Sequence, residues 1–294
     1  MKILLTGKDG QVGFALHKKL TSLGEVIATN RDILDLSDPQ AIKIFFNQTQ
    51  PDIIINPAAY TQVDKAESEK LLAHQINVEA PQVLAEKASE LHIPIIHFST
   101  DYVFDGLKNE PYLEEDKVNP QSIYAKTKCD GEAVVRQHKK HVILRTSWVF
   151  GSHSNNFLKT ILRLAQEKDA LSIVNDQKGS PASASMLADV TFKIAQNILN
   201  NKDFKDYGTY HLTSTGETNW YEYACFIVNE AMRLGFHSNI TPDQIKAIST
   251  DAYPTVAKRP LNSRLSTEKI RKTFMLELPH WEDEVRKVLK DLIH

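Results

Sequence analysis

Cysteine is almost missing from this 294-residue chain, which holds only Cys129 and Cys225, far apart and in no Cys-x-x-Cys pair. That excludes a disulfide framework and offers no zinc-ligand spacing. A basic excess is missing too. The net charge is −2 at pH 7, so no nucleic-acid partner is expected. Long apolar runs are absent: one lysine precedes Ile3-Leu4-Leu5 and the run stops at Gly7. It is too short for a signal peptide or a membrane span, so the expected location is the cytoplasm, with no membrane partner. There is no internal repeat, low-complexity linker or coiled-coil heptad. What remains, with 41% hydrophobic and 24% charged residues, is an ordinary globular composition long enough for one large or two medium domains.

Apolar runs alternate with helical patterns through residue 150, which predicts α/β architecture: a Rossmann-like, doubly wound parallel sheet. Strands are expected at 2–6, 25–29, 34–36, 53–56, 93–98 and 141–145, and a helical region at 64–92 broken near Asn77 and Pro81. Beyond 150 the pattern loosens into helices near 156–168, 186–200 and 219–234 and strands near 171–174 and 209–213. The expected division is a dinucleotide-binding domain over 1–150 and a smaller α/β substrate-binding lobe over 151–294. A strand and helix around 171–200 are expected to return to the first domain.

The first strand runs into Gly7-x-x-Gly10-Gln11-Val12-Gly13 and then a helix through Phe14, Leu16 and Leu20. Glycines in that context turn sharply, and the helix N-terminus stabilises a pyrophosphate. The spacing has one more residue between the first two glycines than Gly-x-Gly-x-x-Gly. After the second strand comes Asn30-Arg31, without the carboxylate that would take both ribose hydroxyls of NAD. Arg31 suits a 2′-phosphate, which favours NADPH, with NADH as the alternative. Asp35 can accept from an adenine amino group, and Asp38 reads as a helix cap. Small residues in Pro57-Ala58-Ala59-Tyr60 let the backbone approach a cofactor.

The chemistry centres on 97–128. The run Ile93–Phe98 ends in Ser99 and Thr100, where an open α/β sheet carries its ligands. Asn119-Pro120 reads as the cap and first turn of a helix with Tyr124 four residues in and Lys128 one turn later. Residues i and i+4 share a face, so phenol and ammonium can converge. A free tyrosine titrates near pKa 10. An ammonium roughly 4 Å away, at an effective dielectric of about 20, favours its phenolate by roughly 4 kcal/mol. That suits the residues to holding a carbonyl (Thr100) and delivering its proton (Tyr124).

Read together, six segments resemble the extended short-chain dehydrogenase/reductase superfamily, and within it the dTDP-4-dehydrorhamnose reductases. They are Thr6-Gly7-x-x-Gly10-Gln11-Val12-Gly13, Asn56-Pro57-Ala58-Ala59-Tyr60-Thr61-x-Val63-Asp64-x-Ala66-Glu67 and Ser99-Thr100-Asp101-Tyr102-Val103-Phe104-Asp105-Gly106, followed by Tyr124-x-Lys126-x-Lys128-x-x-Gly131-Glu132, Arg145-x-Ser147-Trp148-Val149-Phe150-Gly151 and Arg259-Pro260-x-Asn262-Ser263. The resemblance spans nearly the whole chain. It implies hydride transfer from NADPH to C4 of a dTDP-linked 4-keto sugar, with Thr100, Tyr124 and Lys128 as the catalytic set. It implies cofactor contacts from Gly7, Gly10, Gln11, Val12, Gly13, Asn30, Arg31, Asp35, Leu36, Ala58, Ala59 and Tyr60, joined by Tyr124 and Lys128. Substrate contacts are implied for Val63, Thr100, Asp101, Tyr102 and Trp148, and the polar turn at Arg259 suits the diphosphate. Another nucleotide-linked 4-keto sugar is an alternative substrate. A regulatory subunit that binds dinucleotide without turnover is the alternative of a different class. Monomer and homodimer both remain open. Some relatives use Mg²⁺ in assembly. No metal site is assigned here, because Glu114-Glu115-Asp116 reads as a solvated loop. Ala182 departs from the family's threonine in the 179–183 segment. His138 to His141 reads as a solvated turn, His97 as a satisfied core histidine, and Trp220 and Trp281 as packing residues.

Overall fold

A computed structural model describes residues 1–293. Its centre is a six-stranded, all-parallel sheet built on β1 (Lys2–Leu5), β2 (Glu25–Ala28), β3 (Ile53–Asn56), β4 (Ile95–Thr100) and β5 (His141–Thr146). The sixth strand, Gly208–His211, pairs with β5 at one edge, and the order runs inward through β4, β3 and β1 to β2. Alternation along the strands divides the core. Ile3, Leu5, Ile53 and Ile55 pack against α1 (Gln11–Leu20) and the helix Ala184–Asn200. Leu4 and Ile54 point the other way, onto Ile42 and Phe46 of α2 (Pro39–Thr49) and the helix Ala80–Glu90. Both faces are covered, which is why the strands read as continuous apolar runs and not as alternating ones.

A second core gathers the helices Phe157–Glu167, Trp220–Arg233 and Trp281–Ile293. It carries its own parallel ladder, in which Leu171–Val174 pairs with Ile245–Ile248. The strand and the helix within 171–200 pack in different places. The helix Ala184–Asn200 does pack on α1, whereas the strand at 171–174 stays with the second core because its partner lies there.

Three local expectations are corrected. Residues 34–36 form no strand: Leu34 is buried, but Asp35 Oδ1 accepts from Ser37 N and Oγ and closes a turn. Asp38 caps α2 as expected, accepting from Gln40 N and Ala41 N. The break near Asn77 is a π-helical turn, Gln75–Glu79. The Asn77 side chain bonds Tyr60 N, Tyr60 O and Thr127 Oγ1, and the Asn77 backbone carbonyl lies where a Cβ on Gly131 would clash at 2.1 Å. The helix expected from Asn119-Pro120 starts later, as Ile123–Val135, because Ser122 supplies the cap to Ala125 N while Asn119 bonds Asp105. Tyr124 is thus the second helical residue. Among the described residues no helix is long and apolar enough to cross a membrane.

Candidate active site

The carboxyl ends of β1, β3, β4 and β5 open into a cavity of about 480 Å³. Its floor is the glycine turn. Gly7 adopts φ +60 against Ala58, and a Cβ on Gly13 would sit 2.0 Å from Gly7 O, so helix and turn are pressed together in a way only glycine allows. Gly7, Gly10, Gln11, Val12, Gly13, Ala58 and Ala59 line this cavity, with Tyr124 and Lys128 at its far end. The residues fit a dinucleotide: a helix N-terminus for a diphosphate at one end, and a buried, unpartnered hydroxyl, Thr146 Oγ1, at the other.

Not every expected residue joins it. Tyr60 turns away, its phenol donating to Glu69 Oε2 at 2.7 Å; burial, with that bond, pushes its pKa to about 12. Asn30, Arg31, Asp35 and Leu36 gather beyond β2 and do not line the cavity. Asn30 Nδ2 donates to Asp9 Oδ2 at 2.8 Å, and the exposed Arg31 faces Asp35 at 3.9 Å. Thr146, Ser154 and Asn155 line the cavity without having been singled out. Thr146 carried a readable signal, since it ends β5 as Thr100 ends β4, and the two are register partners.

Thr100 Oγ1 donates to Asp101 Oδ1 at 3.0 Å and accepts from Tyr102 N. Asp101 is buried with Oδ2 unpartnered. Burial pushes its pKa to about 6, against hydrogen bonds from Ser263 and Thr100. Burial also pushes the Tyr124 phenol well up, with the Thr100 hydroxyl opposing. Lys128 Nζ donates to Phe98 O at 2.7 Å. Burial lowers its pKa to about 8, against the nearby charge of Glu132. The expected pull of Lys128 on the phenol is therefore corrected: here the ammonium is engaged by a carbonyl, and desolvation governs Tyr124.

Next to this set lies a second cleft, about 390 Å³, lined by Tyr102, Phe157, Gln177, Trp220, Tyr253 and Arg259. Arg259 reaches it between Asp64 and Tyr102. Trp148 lines neither cavity, and nor does Val63, at the start of the helix Val63–Ala66. The Trp148 backbone takes φ +48, which brings the indole against Gly179 and face to face with Trp220 at 3.7 Å. Trp220, expected only to pack, forms the cleft wall that Trp148 was expected to form.

Three bland readings also change. Glu114 is not simply solvated: its carboxylate accepts from His211 N and its carbonyl from Arg145. His138 is buried, with Nε2 bonded to Ile93 O. His97 is only half satisfied, pairing Nδ1 with Asn56 Nδ2 while Nε2 has no partner.

The whole chain, residues 1–294, matches the family model described as RmlD substrate binding domain. It is 43% identical to the dTDP-4-dehydrorhamnose reductase of Escherichia coli K12, over 99% of this chain and 98% of that one. Among solved structures it resembles a dTDP-4-dehydrorhamnose reductase from Clostridium acetobutylicum, with TM-score 0.92, 38% identity and complete coverage of both chains. It also resembles the Bacillus anthracis dTDP-4-dehydrorhamnose reductase in complex with NADP, with TM-score 0.89 and 32% identity over 99% of each chain.

Proposed function

The chain belongs to the dTDP-4-dehydrorhamnose reductase family, whose members are NAD(P)H-dependent oxidoreductases, and we propose that it reduces the C4 ketone of dTDP-4-dehydro-6-deoxy-L-mannose to give dTDP-L-rhamnose. The observation that carries this reading is the convergence of Tyr124 and Lys128 at the end of a glycine-floored cavity, with Thr100 ending the strand beside them.

The bound dinucleotide, NADPH in this reading, supplies the hydride. The chain's own residues do the rest. The glycine turn and α1 hold the diphosphate, and Ala58 and Ala59 let the backbone lie close to the cofactor. Arg31, exposed beside the turn after β2, is the group assigned to the 2′-phosphate. Thr100 holds the ketone oxygen once its hydroxyl turns from Asp101. The phenol of Tyr124, kept protonated by burial, gives its proton to the oxygen as negative charge develops there. Lys128, on the same helix face, then stabilises the phenolate and binds the ribose, exchanging the Phe98 carbonyl for those partners. In the second cleft Trp220 and Tyr253 offer aromatic faces to the base, and Arg259 pairs with the diphosphate.

In the proposed domain division, residues 1–150 with the helix Ala184–Asn200 and the strand Gly208–His211 carry the dinucleotide, and the second core around the helices Phe157–Glu167, Trp220–Arg233 and Trp281–Ile293 carries the sugar nucleotide. NADPH oxidation should be followed with a panel of nucleotide-linked 4-keto sugars. Turnover selective for the dTDP-linked 4-keto-6-deoxyhexose is expected. No turnover with any member, by protein that binds NADPH, would overturn the reading.

A further inference from the structure

Asp64 lies 195 residues from Arg259 in sequence, yet its Oδ2 accepts from Arg259 Nη2 at 2.7 Å. Its other oxygen, Oδ1, accepts from the backbone N–H of Ala257 at 3.0 Å. One carboxylate therefore grips both the side chain and the backbone of the same loop. Within the loop Ala257 is buried and its carbonyl accepts from Thr255 Oγ1, while the stretch around it is open to water. Residues 253–260 belong to no helix or strand, and Tyr253 and Val256 are 57% and 76% exposed. Pro260 seats on Gly106 at the far end, and Tyr102 Oη accepts from Arg259 Nη1 at 3.2 Å. Asp64 itself sits on the helix Val63–Ala66, directly after the segment whose Ala58, Ala59 and Thr61 line the cofactor cavity.

We propose that Asp64 is a positioning residue for the sugar-nucleotide site, holding Arg259 and the 257–259 backbone over the second cleft from the cofactor side. This rests on the diphosphate role given to Arg259 above. A guanidinium has five donors. Asp64 and Tyr102 occupy two of them, leaving others for phosphate oxygens. An unrestrained arginine loses considerable rotamer freedom when a ligand fixes it. When Asp64 fixes it beforehand, that loss falls on folding and not on binding. The Asp64 side chain is 43% exposed, and a pair so open to water adds little to stability. Its consequence lies in where it puts the guanidinium.

The test is binding of dTDP by calorimetry and of NADPH by fluorescence, to the full chain and its Asp64→Ala, Asp64→Asn, Arg259→Ala and doubly substituted (Asp64→Ala with Arg259→Ala) forms. Asp64→Ala is expected to weaken dTDP on the order of tenfold and to add nothing once Arg259 is gone. Asp64→Asn keeps one acceptor oxygen, which serves the Ala257 N–H while its NH2 faces the guanidinium, so a loss of about threefold, between the parent and Asp64→Ala, is expected. NADPH affinity should hold throughout. Hydrogen exchange at 255–259 should quicken in Asp64→Ala but not in Asp64→Asn. If Asp64→Ala binds dTDP as well as the parent, or better, while Arg259→Ala weakens it, the acid is a bystander or a competitor of the phosphate and the proposal falls. Parental dTDP binding by Arg259→Ala removes the diphosphate assignment and this proposal with it. A parallel loss of NADPH affinity in Asp64→Ala means a general structural defect, which also overturns the positioning role.

Discussion

Glu132 and Arg145 form a two-point ion pair, Nε to Oε1 and Nη2 to Oε2 both at 2.8 Å, with neither side chain more than 1% exposed. Glu132 stands one helical turn beyond Lys128, which stands one turn beyond Tyr124, so the helix carrying the candidate chemistry is fastened to β5 by charge. Burial alone would raise the Glu132 carboxyl, but hydrogen bonds and charge from Arg145 prevail and hold it low. Glu132→Gln should leave a buried guanidinium with no counter-charge, at a cost of about 3–5 kcal/mol. Urea unfolding measures this. Stability close to the parent's would show that the pair does not anchor the helix.

Tyr124→Phe removes the phenolic oxygen and nothing else from a half-buried ring that packs edge-on to Tyr102 at 5.7 Å. Fold and NADPH affinity should persist while kcat falls about 10²–10⁴-fold. Single-turnover NADPH oxidation separates this from slow product release, and a kcat near the parent's would end the assignment.

Lys128 gives a pH prediction with a definite sign. Its pKa near 8 means that the ammonium is lost as pH rises through 8. NADPH affinity and kcat/KM should fall on that limb, and Lys128→Arg should move the limb upward. The same shift from 10.5 costs the folded state stability below pH 8, and the cost fades as pH rises towards 10.5. Lys128→Met should therefore unfold at higher urea at pH 7, by up to about 3 kcal/mol, while losing the cofactor. Equal stability at pH 7 and pH 10.5, relative to the parent, would refute the shift.

The sheet was legible because its strands are apolar on both faces: Ile53-Ile54-Ile55 and Ile95–Phe98 permit little else. So was the glycine turn, whose spacing carries its own steric reason. Features set by distant partners were not. No local pattern says that Asp35 closes a turn with Ser37 where a strand was expected, or that Ser122 and not Asn119 caps the helix of Tyr124. The placement of Trp148 behind Trp220 depends on a positive φ and on Gly179, 31 residues on in sequence. Asp64 reads as an ordinary acid at a helix start until the 253–260 loop is seen against it.

The proposed preference for NADPH rests on Arg31, whose side chain is 76% exposed and only loosely tied to Asp35. It is free to pair with a 2′-phosphate. Arg31→Ala should weaken NADPH by about 1.5–3 kcal/mol, roughly 10- to 150-fold, and leave NADH nearly unchanged. Parallel titrations with both cofactors decide it, since equal losses would make Arg31 structural only.

Asp101 is buried beside Thr100 with one oxygen unpartnered, and its pKa stands near 6 against 3.8 for an ordinary aspartate. Below pH 3.8 the acid is neutral in both folded and unfolded chains and costs nothing. Above pH 6 it is charged in both, and the folded state bears the whole penalty, at most about 3 kcal/mol. Asp101→Asn should therefore be more stable than the parent at pH 7.5 and gain nothing at pH 3.5. There is a functional counterpart. A threonine has one proton to donate, and ionised Asp101 takes it from Thr100 at 3.0 Å. An asparagine amide can donate instead, leaving the Thr100 proton for a ketone oxygen. The parent should then lose kcat/KM as pH rises through 6, and Asp101→Asn should flatten that limb even if its KM for the sugar nucleotide rises. An unchanged limb near pH 6 in the variant would assign the titration to another group and leave Asp101 with a packing role beside Thr100.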